Sequence, residues 1–167
     1  MASNFMNTGS SQARWLILFS YIIALSFDTM ALLENATVII PPISLMVLLY
    51  WSAHFLNKTH LISAFILGLL ADSLYQTTLG AHALVFSVLV FLMLRHRLRF
   101  KAYPVWRQAF SIGVYMMFYQ ILNYIIFSPV LDSNDIIQFW SMPAIAIIIW
   151  PLLSLIFRRI TTNVVKG

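Results

Sequence analysis

This chain of 167 residues has no cysteine, only five acidic side chains and only five glycines. The first absence excludes disulfides, thiolate metal sites, cysteine nucleophiles and an acylated lipoprotein cysteine, and it leaves the redox compartment undecided. Charge is scarce too: 9% of residues are charged against 61% hydrophobic, with a mean hydropathy of +0.87, which excludes an ordinary soluble domain. Catalytic constellations are missing. The four histidines (His54, His60, His82, His96) are dispersed, there is no glycine-rich phosphate loop, and no serine stands in an elbow motif. No enzyme, cofactor or metal site is expected.

What is present is a series of apolar runs of membrane-spanning length, with almost nothing left over for a folded aqueous domain. The fold class is therefore an all-α integral membrane protein. Residues 1–13 are polar and rich in Ser and Asn, and read as a flexible tail. The first run, Trp15 to Leu33, is longer than a signal-peptide core and lacks a small-x-small cleavage site, so it reads as a retained anchor. Six transmembrane helices are expected at about 15–33, 38–56, 61–76, 80–94, 106–127 and 136–157, forming a membrane domain over 14–159 with a tail at 160–167.

The third and fourth spans require an argument, because residues 61–94 form one nearly unbroken apolar stretch. As a single helix it would be about 51 Å long, too long for one crossing of about 30 Å. A single crossing would also place Lys58 opposite Arg95, Arg97, Arg99 and Lys101. A hairpin turning at Thr77, Thr78, Leu79 and Gly80 reunites them. All ten basic residues, with Arg14, Arg107, Arg158, Arg159 and Lys166, then share one face, which the positive-inside rule makes cytoplasmic together with both termini. The acids lean the other way: Glu34, Asp132 and Asp135 in outer loops, Asp28 and Asp72 in the outer halves of their helices.

Asp72 is the conspicuous residue, a carboxylate ending the apolar run from Phe65 to Ala71. At its depth it costs roughly 1–3 kcal/mol unless paired or hydrogen-bonded, and no Lys or Arg lies on that side. The available partners are the hydroxyls of Ser73, Thr77 and Thr78, and His82 at the start of the next helix. Fastening a tight outer hairpin, with Gly80 supplying a strain-free turn position, is the favoured reading. A proton, ion or substrate site is the alternative.

Helix-packing features are more plentiful. Ala64 and Gly68 form a small-xxx-small pair that admits another backbone and reads as an interface. Tyr115, Tyr119 and Asn123, with Gln120 and Tyr124 alongside, form a polar-aromatic stripe expected to turn from lipid, for interhelical hydrogen bonding or to line a small cavity. Pro41 and Pro42 fall in the first turn of the second span, whereas Pro143 and Pro151 interrupt the sixth and should kink it. Trp15, Trp51, Trp106 and Trp140, near span ends, read as interfacial anchors, and Trp150 lies deeper. The stretch Arg95 to Arg107 is a basic, aromatic cytoplasmic loop, read as a topology signal that contacts anionic lipid and not as a nucleic-acid site. Two sequons, Asn35-Ala36-Thr37 and Asn57-Lys58-Thr59, are set aside because one is cytoplasmic and the other hugs the membrane.

Leu48-Leu49-Tyr50-Trp51 closing a proline-started second span, Gly68-x-x-x-Asp72 running to Thr78-Leu79-Gly80, and Trp150-Pro151 before Arg158-Arg159 occur here in one order. Together they resemble the bacterial rod-shape-determining MreD family, from Arg14 to about Arg159. Gln76 and Ser44 depart from the family pattern. The resemblance implies a six-helix inner-membrane protein related in fold to the substrate-binding components of energy-coupling-factor vitamin transporters. It also implies a non-enzymatic role: pairing with MreC, a bitopic protein, in the elongation machinery where MreB filaments guide a glycosyltransferase and a transpeptidase in peptidoglycan synthesis. Spans with small or polar faces would be the MreC contact, and a homodimer is compatible. The competing expectation is a solute- or vitamin-binding membrane component, with Asp72, Tyr119, Gln120 and Asn123 lining an outward pocket.

Overall fold

The computed structural model describes residues 11–33, 40–54, 60–127 and 133–166, with side chains described except at 11–14, 33, 133–138 and 162–166. Glu34, Lys58, Asp132 and both sequons lie outside the described residues, as do the side chains of Arg14, Asp135 and Lys166. Six helices follow in order: α1 (Ser11–Leu33), α2 (Ile43–His54), α3 (His60–Tyr75), α4 (Ala81–Ala102), α5 (Val105–Phe127) and α6 (Ser133–Lys166). α1, α4, α5 and α6 are long and apolar enough to cross a membrane. α2 and α3 are apolar but shorter, at 12 and 16 residues, or about 18 and 24 Å.

α2 is the axle of the bundle. Every residue from Ser44 to Ala53 is buried, and it packs against α1, α3, α4 and α6. A helix with no polar face has no side to offer to water, so it goes to the centre. Pro41 and Pro42 precede the helix and are not in its first turn. The Met46 N–H donates to the Pro42 carbonyl at 3.2 Å, so Pro42 is the cap and Ile43 the first helical residue.

α3 and α4 form the expected hairpin. α3 ends with Gln76 in the left-handed region (φ 52°), and the Thr77 N–H returns to the Asp72 carbonyl at 3.1 Å, the six-to-one bond of a Schellman end. That conformation favours glycine, so Gln76 holds a strained position. Gly80, at φ 100°, is the residue before α4 and occupies the same region without a Cβ penalty. Below the turn the two backbones nearly touch. A Cβ on Gly68 would overlap the Ala83 Cα and lie 2.5 Å from the Ala83 nitrogen. The Ala64–Gly68 face is thus filled by α4 of the same chain.

Two boundaries differ from expectation. The basic stretch 95–102 is helical and not a loop, because Arg, Leu and Lys are good helix formers and no breaker precedes Pro104. Pro104 forces Tyr103 to extended geometry (φ −77°, ψ 143°), and α5 starts immediately after it. At the other end of the chain, α6 runs through Pro143 and Pro151 and on to Lys166. Gln120 of α5 donates its side-chain amide to the Phe139 carbonyl, the acceptor that Pro143 leaves without an N–H. A neighbouring side chain so replaces the missing backbone bond.

The helices alternate in direction, which sorts the described charges. The Lys101 ammonium donates to the His54 carbonyl at 2.7 Å, Tyr50 stacks on Phe157 at 5.1 Å, and Phe100 meets Trp150 edge-on at 5.8 Å. These contacts gather the C-terminal ends of α2 and α4 and the basic part of α6. Asp28 and Asp72 lie at the opposite end of the bundle.

Candidate functional site

The acidic end is organised by helix termini. An α-helix begins with N–H groups that have no partner inside it and with about half a unit of positive charge. Asp72, only 1% exposed and located in the last turn of α3, supplies acceptors to the start of α4. Its Oδ2 accepts from the Gly80 N–H at 2.8 Å and the Ala83 N–H at 3.4 Å, and its Oδ1 from the His82 N–H at 2.9 Å. The Thr77 hydroxyl donates to Oδ1 at 3.0 Å, and His82 Nδ1 stands 2.8 Å from the same oxygen. Gly80 has no side chain with which to cap the helix, so a carboxylate from the neighbouring helix takes that role. Of the partners read from the sequence, Thr77 and His82 engage Asp72. Ser73 is exposed, and Thr78 contributes its carbonyl to Ala81.

A second carboxylate does the same for α2. Asp28 of α1 accepts the Ile43 N–H at 2.7 Å on Oδ1 and the Ser44 N–H at 3.1 Å on Oδ2. It was not among the candidate site residues. The signal was nonetheless available: an acid inside an apolar run with no basic neighbour, and a Pro41-Pro42 pair after which Ile43 and Ser44 are the first free backbone donors.

Between these caps lies a cavity of about 290 Å³, whose walls include Asp28, Tyr75, Thr77, His82, Tyr119 and Asn123. Tyr119 and Asn123 line it, and the Asn123 amide donates to the Tyr119 carbonyl of its own helix at 3.0 Å. Asp72 and Gln120 do not: the first sits behind His82, and the second faces α6. Tyr124 is 49% exposed and lies off the buried stripe, while Tyr115 is half-buried. Among the described residues, no group of three or more His, Asp or Glu could hold a metal ion.

The remaining candidates belong to the core. Trp51 is fully buried and donates its indole N–H to the Ser20 hydroxyl at 2.9 Å, tying α2 to α1. It is no interfacial anchor, since its helix is surrounded by others. Trp15, Trp106 and Trp140 do face outward, at 61%, 67% and 43% exposure. Trp150 is fully buried between Tyr50 and Phe100.

The family profile of rod shape-determining protein MreD matches residues 10–160, which takes in α1 to α5 and all but the last six residues of α6. The chain belongs to the MreD family. A rod shape-determining protein MreD of Haemophilus influenzae is 30% identical over 122 residues, covering 71% of this chain and 74% of that protein. No solved structure matches the chain. The Gly68-to-Gly80 segment that carried the MreD resemblance is the α3–α4 hairpin with its carboxylate cap. Tyr50-Trp51 and Trp150-Pro151 fall in the aromatic cluster joining α2, α4 and α6. In this MreD chain the motif residues of each group meet one another.

Proposed function

We propose that this protein maintains rod cell shape as a non-enzymatic scaffold of the bacterial inner membrane, binding the transmembrane helix of MreC within the peptidoglycan-elongation machinery. Membership of the MreD family supports the role in shape. The scaffold reading draws support from where the polar groups go: Asp28, Asp72, Gln120 and Lys101 are all engaged with backbone of their own chain. Apolar helix faces are what the molecule offers to another protein.

One face carries the proposal. Only 17% of the Trp15–Leu32 window of α1 is buried, the smallest share of the four long helices. Phe19, Ile22, Ile23, Phe27 and Met30 are all more than half exposed on it. MreC seats its helix against this side of α1. The basic end, through Arg95, Arg97 and Arg99, rests on anionic headgroups of the cytoplasmic leaflet.

The test is co-purification of MreC with the full chain from detergent-solubilised membranes, with Phe19→Ala and Ile22→Ala introduced together. Loss of MreC, with the unfolding temperature of the protein unchanged, is the expected result. Undiminished recovery of MreC would remove α1 as the contact. Absence of MreC from the unsubstituted preparation would overturn the scaffold reading.

A further inference from the structure

The cavity at the acidic end is unused by a scaffold that works through its lipid-facing helices. At about 290 Å³ it has the size of a small polar headgroup, at the lower edge of ordinary ligand pockets. Its walls contain a carboxylate, Asp28, and, among the described residues, no lysine or arginine. The described cations lie at the other end of the bundle.

The charge balance there is negative. Each Asp28 oxygen accepts one backbone N–H, which leaves acceptor capacity on both. The N-terminus of α2 offsets about half of the carboxylate charge, and that of α4 about half of the charge on Asp72 behind His82. An anion would find its natural donors, the Ile43, Ser44, Gly80 and His82 N–H groups, already taken. A purely apolar occupant would leave the remaining acceptor capacity of Asp28 unused and out of water.

The other walls fit a cation. Tyr75, Tyr119 and Phe127 line the same space, and His82 is stacked on Phe127 at 5.3 Å. Aromatic rings beside a carboxylate attract an ammonium group by ring quadrupole and charge together. The Asn123 amide and the Thr77 hydroxyl supply polar contacts for whatever is attached to it.

We propose that this cavity binds a single ammonium group, held by Asp28 among Tyr75, Tyr119 and Phe127 and supplied either by an aminophospholipid headgroup or by a free amine. This goes beyond the scaffold reading and does not depend on it.

Two measurements on the full chain test the proposal and separate the sources. Thermal unfolding in detergent is titrated with ethanolamine hydrochloride against sodium chloride at equal ionic strength. Native mass spectrometry follows reconstitution in nanodiscs of equal phosphatidylethanolamine and phosphatidylglycerol. A free-amine site gives saturable stabilisation by ethanolamine beyond that by sodium chloride. A headgroup site gives about tenfold preferential retention of phosphatidylethanolamine. In either case Asp28→Asn weakens the effect about tenfold, and so does Asn123→Leu, which narrows the cavity and removes the amide without touching the cap and serves if Asp28→Asn does not fold. Equal behaviour of both salts together with equal retention of both lipids overturns the proposal. So does binding that survives Asn123→Leu.

Discussion

Asp28 and Lys101 hold opposite ends of the same buried helix. The Asp28 carboxylate, from α1, accepts the first N–H groups of α2, and the Lys101 ammonium, from α4, donates to the carbonyl of the last residue of α2, His54. Each charge matches the helix dipole at its end, negative at the N-terminus and positive at the C-terminus. In a chain with so few charges, Asp28 is placed where backbone donors would otherwise go unsatisfied in a buried surrounding, and Lys101 meets its helix end at the water boundary.

Removing the cation end is the mild perturbation. Lys101→Met keeps the aliphatic stem and loses the donor, and the site is exposed enough for water to replace it partly. Stability in detergent unfolding should fall by about 0.3–1 kcal/mol, and Lys101→Arg should restore most of the loss.

The contact between α3 and α4 is far less forgiving. Gly68→Ala puts a methyl onto the Ala83 backbone, which cannot move aside as a side-chain tip could. The hairpin should open, at a cost of about 1–3 kcal/mol or more, seen as a lower unfolding temperature and lower membrane yield. Ala64→Gly, on the same face, should be milder.

Gln120 and Pro143 form a coupled pair. Gln120→Leu alone leaves the Phe139 carbonyl without its donor and should destabilise by about 1–2 kcal/mol. In a Pro143→Ala background the new backbone N–H reaches that carbonyl, so the same substitution should cost less. A double-mutant cycle should read a coupling of about 1 kcal/mol, and strict additivity would contradict the pairing.

Because the chain has no cysteine, single introduced cysteines report sidedness cleanly. Thr78→Cys at the hairpin turn should be labelled by an impermeant maleimide from the periplasmic side, and Arg97→Cys only after the membrane is opened. Labelling of both from one side would contradict the charge sorting.

The hairpin and the Asp72 partners were legible in the sequence because they are local: Thr77 and His82 follow Asp72 by five and ten residues, across a turn that the charge pattern had already located. Asp28 was harder, since its partners belong to a different helix and are backbone groups with no residue signature. Trp51 was misread for a similar reason. Its position near a span end suggests an interface, and only the burial of α2 on all sides turns it inward. The small pair Ala64 and Gly68 reads as a site of close approach, but spacing along one helix does not say whether the approaching backbone is a partner's or, as at Ala83, the chain's own. Gln120 beside Pro143 could have been found by asking which polar side chain could serve the carbonyl four residues before an intramembrane proline.

Two carboxylates cap helices other than their own, and amide hydrogen exchange measures this directly. Asp72→Ala should accelerate exchange at residues 80–84, the start of α4, and Asp28→Ala should do so at 43–47, the start of α2. The helices that carry the substitutions should remain protected. Faster exchange confined to 66–75 or 22–31, with the α4 and α2 starts unchanged, would contradict it.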